Sequence, residues 1–222
     1  MNNIELEKRL GVSFKDKGLL SKALTHRSYL NENRDGNLEN NERLEFLGDA
    51  VLELLVSSTL YDKYPGKPEG ELTNIRSALV RTESLAEESR KLVVGEYLLM
   101  SRGEEESGGK DKDYLLANTF ESILGAIYLD QGLNSCKSLI ERTLLQKLDH
   151  IVEQGLFIDP KTKVQELTQA RFKVTPTYKV KKEDGPDHDK SFTVELSIGK
   201  KTITEGVGSS KQKAEEDAAQ KA

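Results

Sequence analysis

The feature that most constrains this chain is a change of hydrophobic period across Gly155–Lys161. From Ile4 to about Leu156 the apolar residues recur at helical spacing. Beyond that point Phe192, Val194, Leu196 and Ile198 alternate with Thr193, Glu195 and Ser197, the two-residue repeat of a strand. Asp159-Pro160 lies in the stretch between them and reads as a linker. The expectation is a mainly α domain over residues 1–155, followed by a small α+β domain over residues 159–222.

Punctuation residues divide the first part further. A helix over Asn3–Leu10 ends near Gly11, and Leu19, Leu20, Ala23 and Leu24 form the next helical face. The polar segment Asn31–Asn41 reads as a loop. A helix then runs from Glu42 to about Tyr64, where Pro65-Gly66-Lys67-Pro68 stops it. Gly70–Val94 reads as one or two helices, and Arg102–Lys112, with three glycines, as a flexible loop. Strongly amphipathic helices are expected over Tyr114–Leu129 and Asn134–Gln154. In the second part a short helix carries Val164, Leu167 and Ala170. Strands follow around Tyr178–Val180, Phe192–Ile198 and Thr202–Val207, with a turn at Asp184–Asp189. The last helix begins at Ser209 with capping-box spacing, and its Ala214, Ala218 and Ala222 can sit close to a sheet. The order of the second part is α-β-β-β-α.

Charge divides along the same line. Residues 159–222 carry 13 Lys and Arg against 11 Asp and Glu, and residues 1–158 carry 20 against 27. The whole chain is at −5, so charge alone selects no partner. Aromatics are 6% with no Trp, so the core must be aliphatic. The single cysteine, Cys136, excludes an internal disulfide framework and reads as a small apolar residue. No run approaches the roughly 18 apolar residues of a membrane span, and the N-terminus lacks a signal-peptide core. The expected location is the cytoplasm.

The helix that begins at Glu42 carries the chemistry. At about 100° per residue, Glu42, Glu45, Asp49 and Glu53 fall on one stripe, and Leu44, Leu47, Val51, Leu54 and Leu55 on the other side. A row of carboxylates is a candidate site for a hard cation; it is also the ordinary exposed face of a half-buried helix. A second acidic element lies at Asn118-Thr119-Phe120-Glu121, with Gly125 on the same face as Asn118 and Glu121. Gly125 offers a notch where another helix can approach Glu121.

The wording of the first element decides between these readings. Glu42-Arg43-Leu44-Glu45-Phe46-Leu47-Gly48-Asp49-Ala50 resembles the signature of the ribonuclease III family. Ala23-Leu24-Thr25-His26-Arg27-Ser28-Tyr29, Glu69-Gly70-Glu71-Leu72-Thr73, Arg76 and Ala126-Ile127-Tyr128-Leu129-Asp130 are similar to it as well. The resemblance implies a homodimeric endoribonuclease that uses Mg²⁺, with Mn²⁺ as a substitute. It would cut duplex RNA to 5′-phosphate and 3′-hydroxyl ends with short 3′ overhangs, in processing of rRNA and other RNA. It implies metal ligation by Glu45, Asn118 and Glu121, and the most direct catalytic roles for Asp49 and Glu121. Glu42 and Glu69 match further acidic positions. His26 is read as a hydrogen-bonded structural residue.

Residue 118 departs from the family, which usually has Asp there. An Asn carbonyl can still ligate Mg²⁺ but brings no charge. Two readings stay open: an enzyme with a higher Mg²⁺ requirement, and a duplex-RNA-binding protein whose cleavage is weak or absent.

Residues 159–222 resemble a double-stranded RNA-binding domain. On that likeness the RNA contacts are Gln165, Glu166 and Gln169; Pro186 and His188; and Ser210, Lys211 and Lys213. The logic is shape reading of two successive minor grooves and the phosphates between them, with lysines at a helix start facing phosphate. Members often carry two adjacent lysines after the serine. Here Gln212 takes the second place.

Overall fold

A computed structural model describes residues 3–33, 39–186 and 190–222. The chain divides into two compact units, Met1–Phe157 and Ile158–Ala222.

The first unit is helical. Its elements are α1 (Ile4–Leu10), α2 (Lys17–Ala23), α3 (Arg27–Glu32), α4 (Glu42–Lys63), α5 (Glu69–Val80), α6 (Thr82–Lys91), α7 (Arg102–Glu106), α8 (Asp113–Gln131), α9 (Leu133–Arg142) and α10 (Leu148–Glu153). Short 3-10 turns cover Val94–Tyr97, Gly109–Asp111 and Leu144–Lys147. The longest helix, α4, starts with Glu42 and Glu45 in its first turn, where acids favour the helix dipole. It ends at Tyr64, ahead of Pro65.

Helix α8 is the centre of this unit. Leu115, Leu116, Phe120, Ile123, Leu124 and Ile127 are fully or nearly fully buried. Thr119, Ser122 and Gly125 are buried too, so the helix is enclosed on almost every side. The expected amphipathic pattern is thereby corrected. Small hydroxyl side chains can enter a core when the backbone satisfies them. Thr119 donates to the Leu115 carbonyl at 2.6 Å, and Ser122 donates to the Ala23 carbonyl at 3.0 Å.

Two further expectations need correction. The single helix expected over Asn134–Gln154 breaks at Thr143, whose backbone leaves the helical region at φ −115° and ψ −94°. Its hydroxyl donates to the Leu139 carbonyl at 2.8 Å, the same bond that Thr119 makes inside the unbroken α8, so the break lies in the Thr143 backbone and not in this bond. The expected loop Arg102–Lys112 contains α7, capped by Ser101, and a 3-10 turn. Lys112 ties it down through Glu104 at 2.7 Å.

The second unit consists of α11 (Pro160–Phe172), β1 (Pro176–Asp184), β2 (Ser191–Ile198), β3 (Lys201–Gly208) and α12 (Lys211–Gln220). The sheet is antiparallel in the order β1-β2-β3. Asp159 caps α11 by accepting from the Thr162 N–H at 2.9 Å, and Pro160 fits the first turn, where its missing donor costs nothing. The core gathers Val164, Leu196, Ala218 and Ala219, with Tyr178 packed against it. Ala214 and Ala218 are buried as expected, but Ala222 is exposed. The cap of α12 is Ser210, not Ser209: its hydroxyl accepts from the Lys213 N–H at 3.2 Å. Residue N3 is then a lysine, so the reciprocal acid of a capping box is absent.

Candidate active site

Helices α4 and α8 cross where Gly48 meets Gly125. A Cβ at Gly48 would collide with the Glu121 carbonyl, and one at Gly125 with the Leu44 carbonyl. Two facing glycines therefore let the backbones touch. The crossing sets Glu45 and Asp49 of α4 against Asn118 and Glu121 of α8. Gly125 was legible as a notch; Gly48, its partner, was not singled out.

The electrostatics of this crossing are unusual. The Glu121 carboxyl is pushed up to about 8, first by burial and then by repulsion from Asp49, Glu45 and Glu53. The Glu45 carboxyl is also raised, by burial and by Glu42, and a hydrogen bond from Asn118 partly offsets this. Every charged group acting on Glu121 is an acid. Arg76 meets only the far member of the stripe, bonding Glu53 at 2.7 Å and Ser57 at 2.8 Å. A half-buried acid among acids either keeps its proton or takes up a cation.

The donor set fits a hard divalent ion: carboxylate oxygens from Glu45, Glu121 and Asp49, and an amide from Asn118. Among the described residues no three His, Cys, Asp or Glu side chains cage an ion unaided. The Asn118 amide faces Glu45 and holds its carboxyl down against the effect of burial; its carbonyl oxygen is the atom it could offer a cation.

A pocket of about 870 Å³ opens beside the crossing. Glu42, Glu45 and Asn118 form one wall, and His26, Arg27, Asn31 and Tyr114 are among the others. Arg27 lies 3.6 Å from Glu42. Glu69 is not among the lining residues; it starts α5 and accepts from the Thr73 hydroxyl at 3.0 Å. His26 caps α3, its Nδ1 accepting from the Ser28 N–H at 3.3 Å. Burial lowers its pKa. Both observations fit the structural role expected for it. Glu104 and Tyr114 also line the pocket; no local pattern pointed to them, because distant chain segments bring them there.

In the second unit Gln165, Glu166 and Gln169 are exposed on α11, and Pro186, Lys211 and Lys213 are exposed as well. His188, expected at the turn, lies outside the described residues. Gln165 and Gln212 share a groove with Asp159, Lys161, Glu215 and Glu216, in which Lys161 of α11 pairs with Glu215 of α12. Lys211 sits 3.1 Å from Glu183 and 5.7 Å from the centre of the Phe192 ring.

A family model described as Ribonuclease-III-like matches residues 16–148. The chain belongs to the ribonuclease III family. A double-stranded RNA binding motif matches residues 160–222. Ribonuclease 3 of Pelotomaculum thermopropionicum is 48% identical over 98% of this chain and 90% of its own length. Ribonuclease 3 of Enterococcus faecalis is 46% identical over 98% of this chain and 94% of its own. The nuclease domain of ribonuclease III from Campylobacter jejuni superimposes with a TM-score of 0.61 at 43% identity. It covers 65% of this chain and 97% of that domain, and its structure was described for flexibility in a region involved in dimer formation. The fold is thus the ribonuclease III fold followed by a double-stranded RNA-binding fold.

Proposed function

We propose that this chain is an endoribonuclease that hydrolyses phosphodiester bonds in double-stranded RNA, with Mg²⁺ held by Glu45, Asn118 and Glu121. The observation that carries the reading is the Glu121 carboxyl, half-buried among acids in a protein of this family. When bound, a divalent ion acidifies water and neutralises charge on the leaving oxygen. The chain's own part is to place donors rigidly. The Gly48–Gly125 contact fixes the separation of the two helices, and the Asn118 bond orients Glu45. Asp49, exposed at the mouth of the cluster, is positioned to take or give a proton at the water or the leaving group. The products are 5′-phosphate and 3′-hydroxyl ends with short 3′ overhangs, and rRNA precursors are among the substrates. The second unit supplies affinity by reading duplex shape.

The test is duplex cleavage across Mg²⁺ concentrations by the native chain and by Asn118→Asp. The native chain is expected to cleave. The variant gains a unit charge at the site and is expected to reach half-maximal rate at roughly 3–30-fold lower Mg²⁺, since adjustments next to a metal commonly change affinity by 10–100-fold. A native chain inactive at every Mg²⁺ concentration, with activity appearing only in Asn118→Asp, overturns the enzyme reading in favour of duplex binding alone.

The enzyme acts as a homodimer. Helix α4 exposes Phe46 (80%), Leu54 (56%) and Tyr61 (74%) along one side, an apolar stripe suited to a second copy. Phe46→Glu is expected to leave the melting temperature within a few degrees and to convert the sedimenting species to monomer. A dimer that survives the substitution rules this stripe out as the interface.

A further inference from the structure

We infer that Glu183 acts as an internal substitute for RNA phosphate on Lys211, so that duplex RNA must displace it to bind. The inference rests on the duplex-RNA reading above and adds to it a residue that limits affinity.

The placement follows from the sheet. Glu183 of β1 lies directly opposite Phe192 of β2, and Phe192 lies opposite Gly208, the last residue of β3. Two residues after that strand, Ser210 caps α12, and Lys211 opens it. The register therefore brings Lys211 over the strand pair that carries Glu183 and Phe192. The ammonium is held 3.1 Å from the Glu183 carboxylate and 5.7 Å from the Phe192 ring centre. The ring attracts the cation through its π face, and the carboxylate neutralises it. This corner also leads into the turn that contains Pro186. Lys213, two residues on, has no ion pair among the described residues.

Of the two lysines at the start of α12, one is therefore already neutralised in the free protein. A phosphate is neutralised by Lys211, and gives up its own condensed counterion, only when Glu183 withdraws; it meets the carboxylate if Glu183 stays. The pair is exposed on both sides, 58% and 44%, so water screens it, and the gain from removing it is bounded at about five-fold. Together with Gln212 in place of a second lysine, the pair leaves this helix start, among the described residues, with Lys213 as its one cation without an ion pair.

The experiment measures binding of the full chain to a duplex RNA of about 20 base pairs, longer than the roughly 16 such domains span. A chelator and no added divalent ion prevent cleavage. Native protein, Glu183→Gln, Lys211→Met and the double variant are compared at several salt concentrations. Glu183→Gln is expected to tighten binding about 2–5-fold at low salt and to steepen the salt dependence by up to about one unit. Both effects should vanish in the Lys211→Met background. An equal gain in that background overturns the inference, because Glu183 then acts only through the general field. Weaker binding by Glu183→Gln also overturns it, because Glu183 then positions Lys211 for RNA. Failure of the native chain to bind duplex RNA overturns both this inference and the reading on which it rests.

Discussion

Gly48→Ala is expected to lower the melting temperature by about 6–12 °C and to abolish measurable cleavage. The added methyl meets the backbone of α8 at the Glu121 carbonyl and the Gly125 N–H, not a side chain that can swing aside. Ala gains about 1 kcal/mol over Gly in helix propensity, but parting two packed helices costs more, leaving a net loss of about 3 kcal/mol. For a protein of this size each kcal/mol moves the midpoint by roughly 2–4 °C. Gly70→Ala is the control. Gly70 lies in α5 with nothing within 4 Å of its added Cβ, so the same substitution there should stabilise slightly, by about 0.5–1 kcal/mol. Equal melting temperatures for Gly48→Ala and the native chain would show that the crossing is not held by backbone contact.

The second large effect is a separation of activity from stability at Glu121. Glu121→Gln is expected to reduce duplex cleavage by at least about 100-fold, the loss typical of a missing charged group at the reacting centre. Binding of duplex RNA in chelator should be unchanged. The same variant should be more stable than the native chain without metal at alkaline pH. The Glu121 carboxyl titrates near 8 in the fold and near 4.5 otherwise. Between those values the unfolded chain has released a proton that the folded chain retains, so stability falls as pH rises through this window. Above about pH 8 the native fold holds a charge among acids, and Gln removes it. The expected gain there is about 1–3 kcal/mol after allowance for partial exposure, with little difference at pH 4. Melting curves in chelator at both pH values check it. Unchanged cleavage by Glu121→Gln would remove Glu121 from the proposed metal site.

Much of the fold was legible because its signals are local. The stop at Pro65-Gly66, the change of period near Asp159 and the two-residue alternation of β2 each lie within a few residues. What escaped depends on neighbours distant in sequence. The burial of α8 on nearly all sides replaces the expected amphipathic pattern and takes in Thr119 and Ser122, whose hydroxyls are satisfied by its own turns and by α2. The break at Thr143 is a single non-helical backbone conformation inside an otherwise helical pattern, with no Pro or Gly beside it to announce it. Two adjacent serines left the cap of α12 ambiguous by one residue until Ser210 was seen to accept from Lys213.

The candidate site divides in the same way. The residue types were set by the motif, and the face shared by Asn118, Glu121 and Gly125 followed from helical spacing. Neither could show that Asn118 bonds Glu45, that Arg76 occupies Glu53 instead of the central acids, or that Glu69 stays out of the pocket. Those facts require the packing of α4 against α5 and α8, and the glycine on α4 that lets α8 approach is unremarkable until its partner is known.

The enclosure of α8 has a consequence for how the protein can move. Amides in the most buried helix exchange with solvent only when the whole unit opens, so the backbone that carries Asn118 and Glu121 should be among the slowest to take up deuterium. Catalytic donors on such a helix cannot loosen on their own to admit a substrate. Adjustment to an RNA duplex must come from parts that open at lower cost, such as the α7 segment beside the pocket.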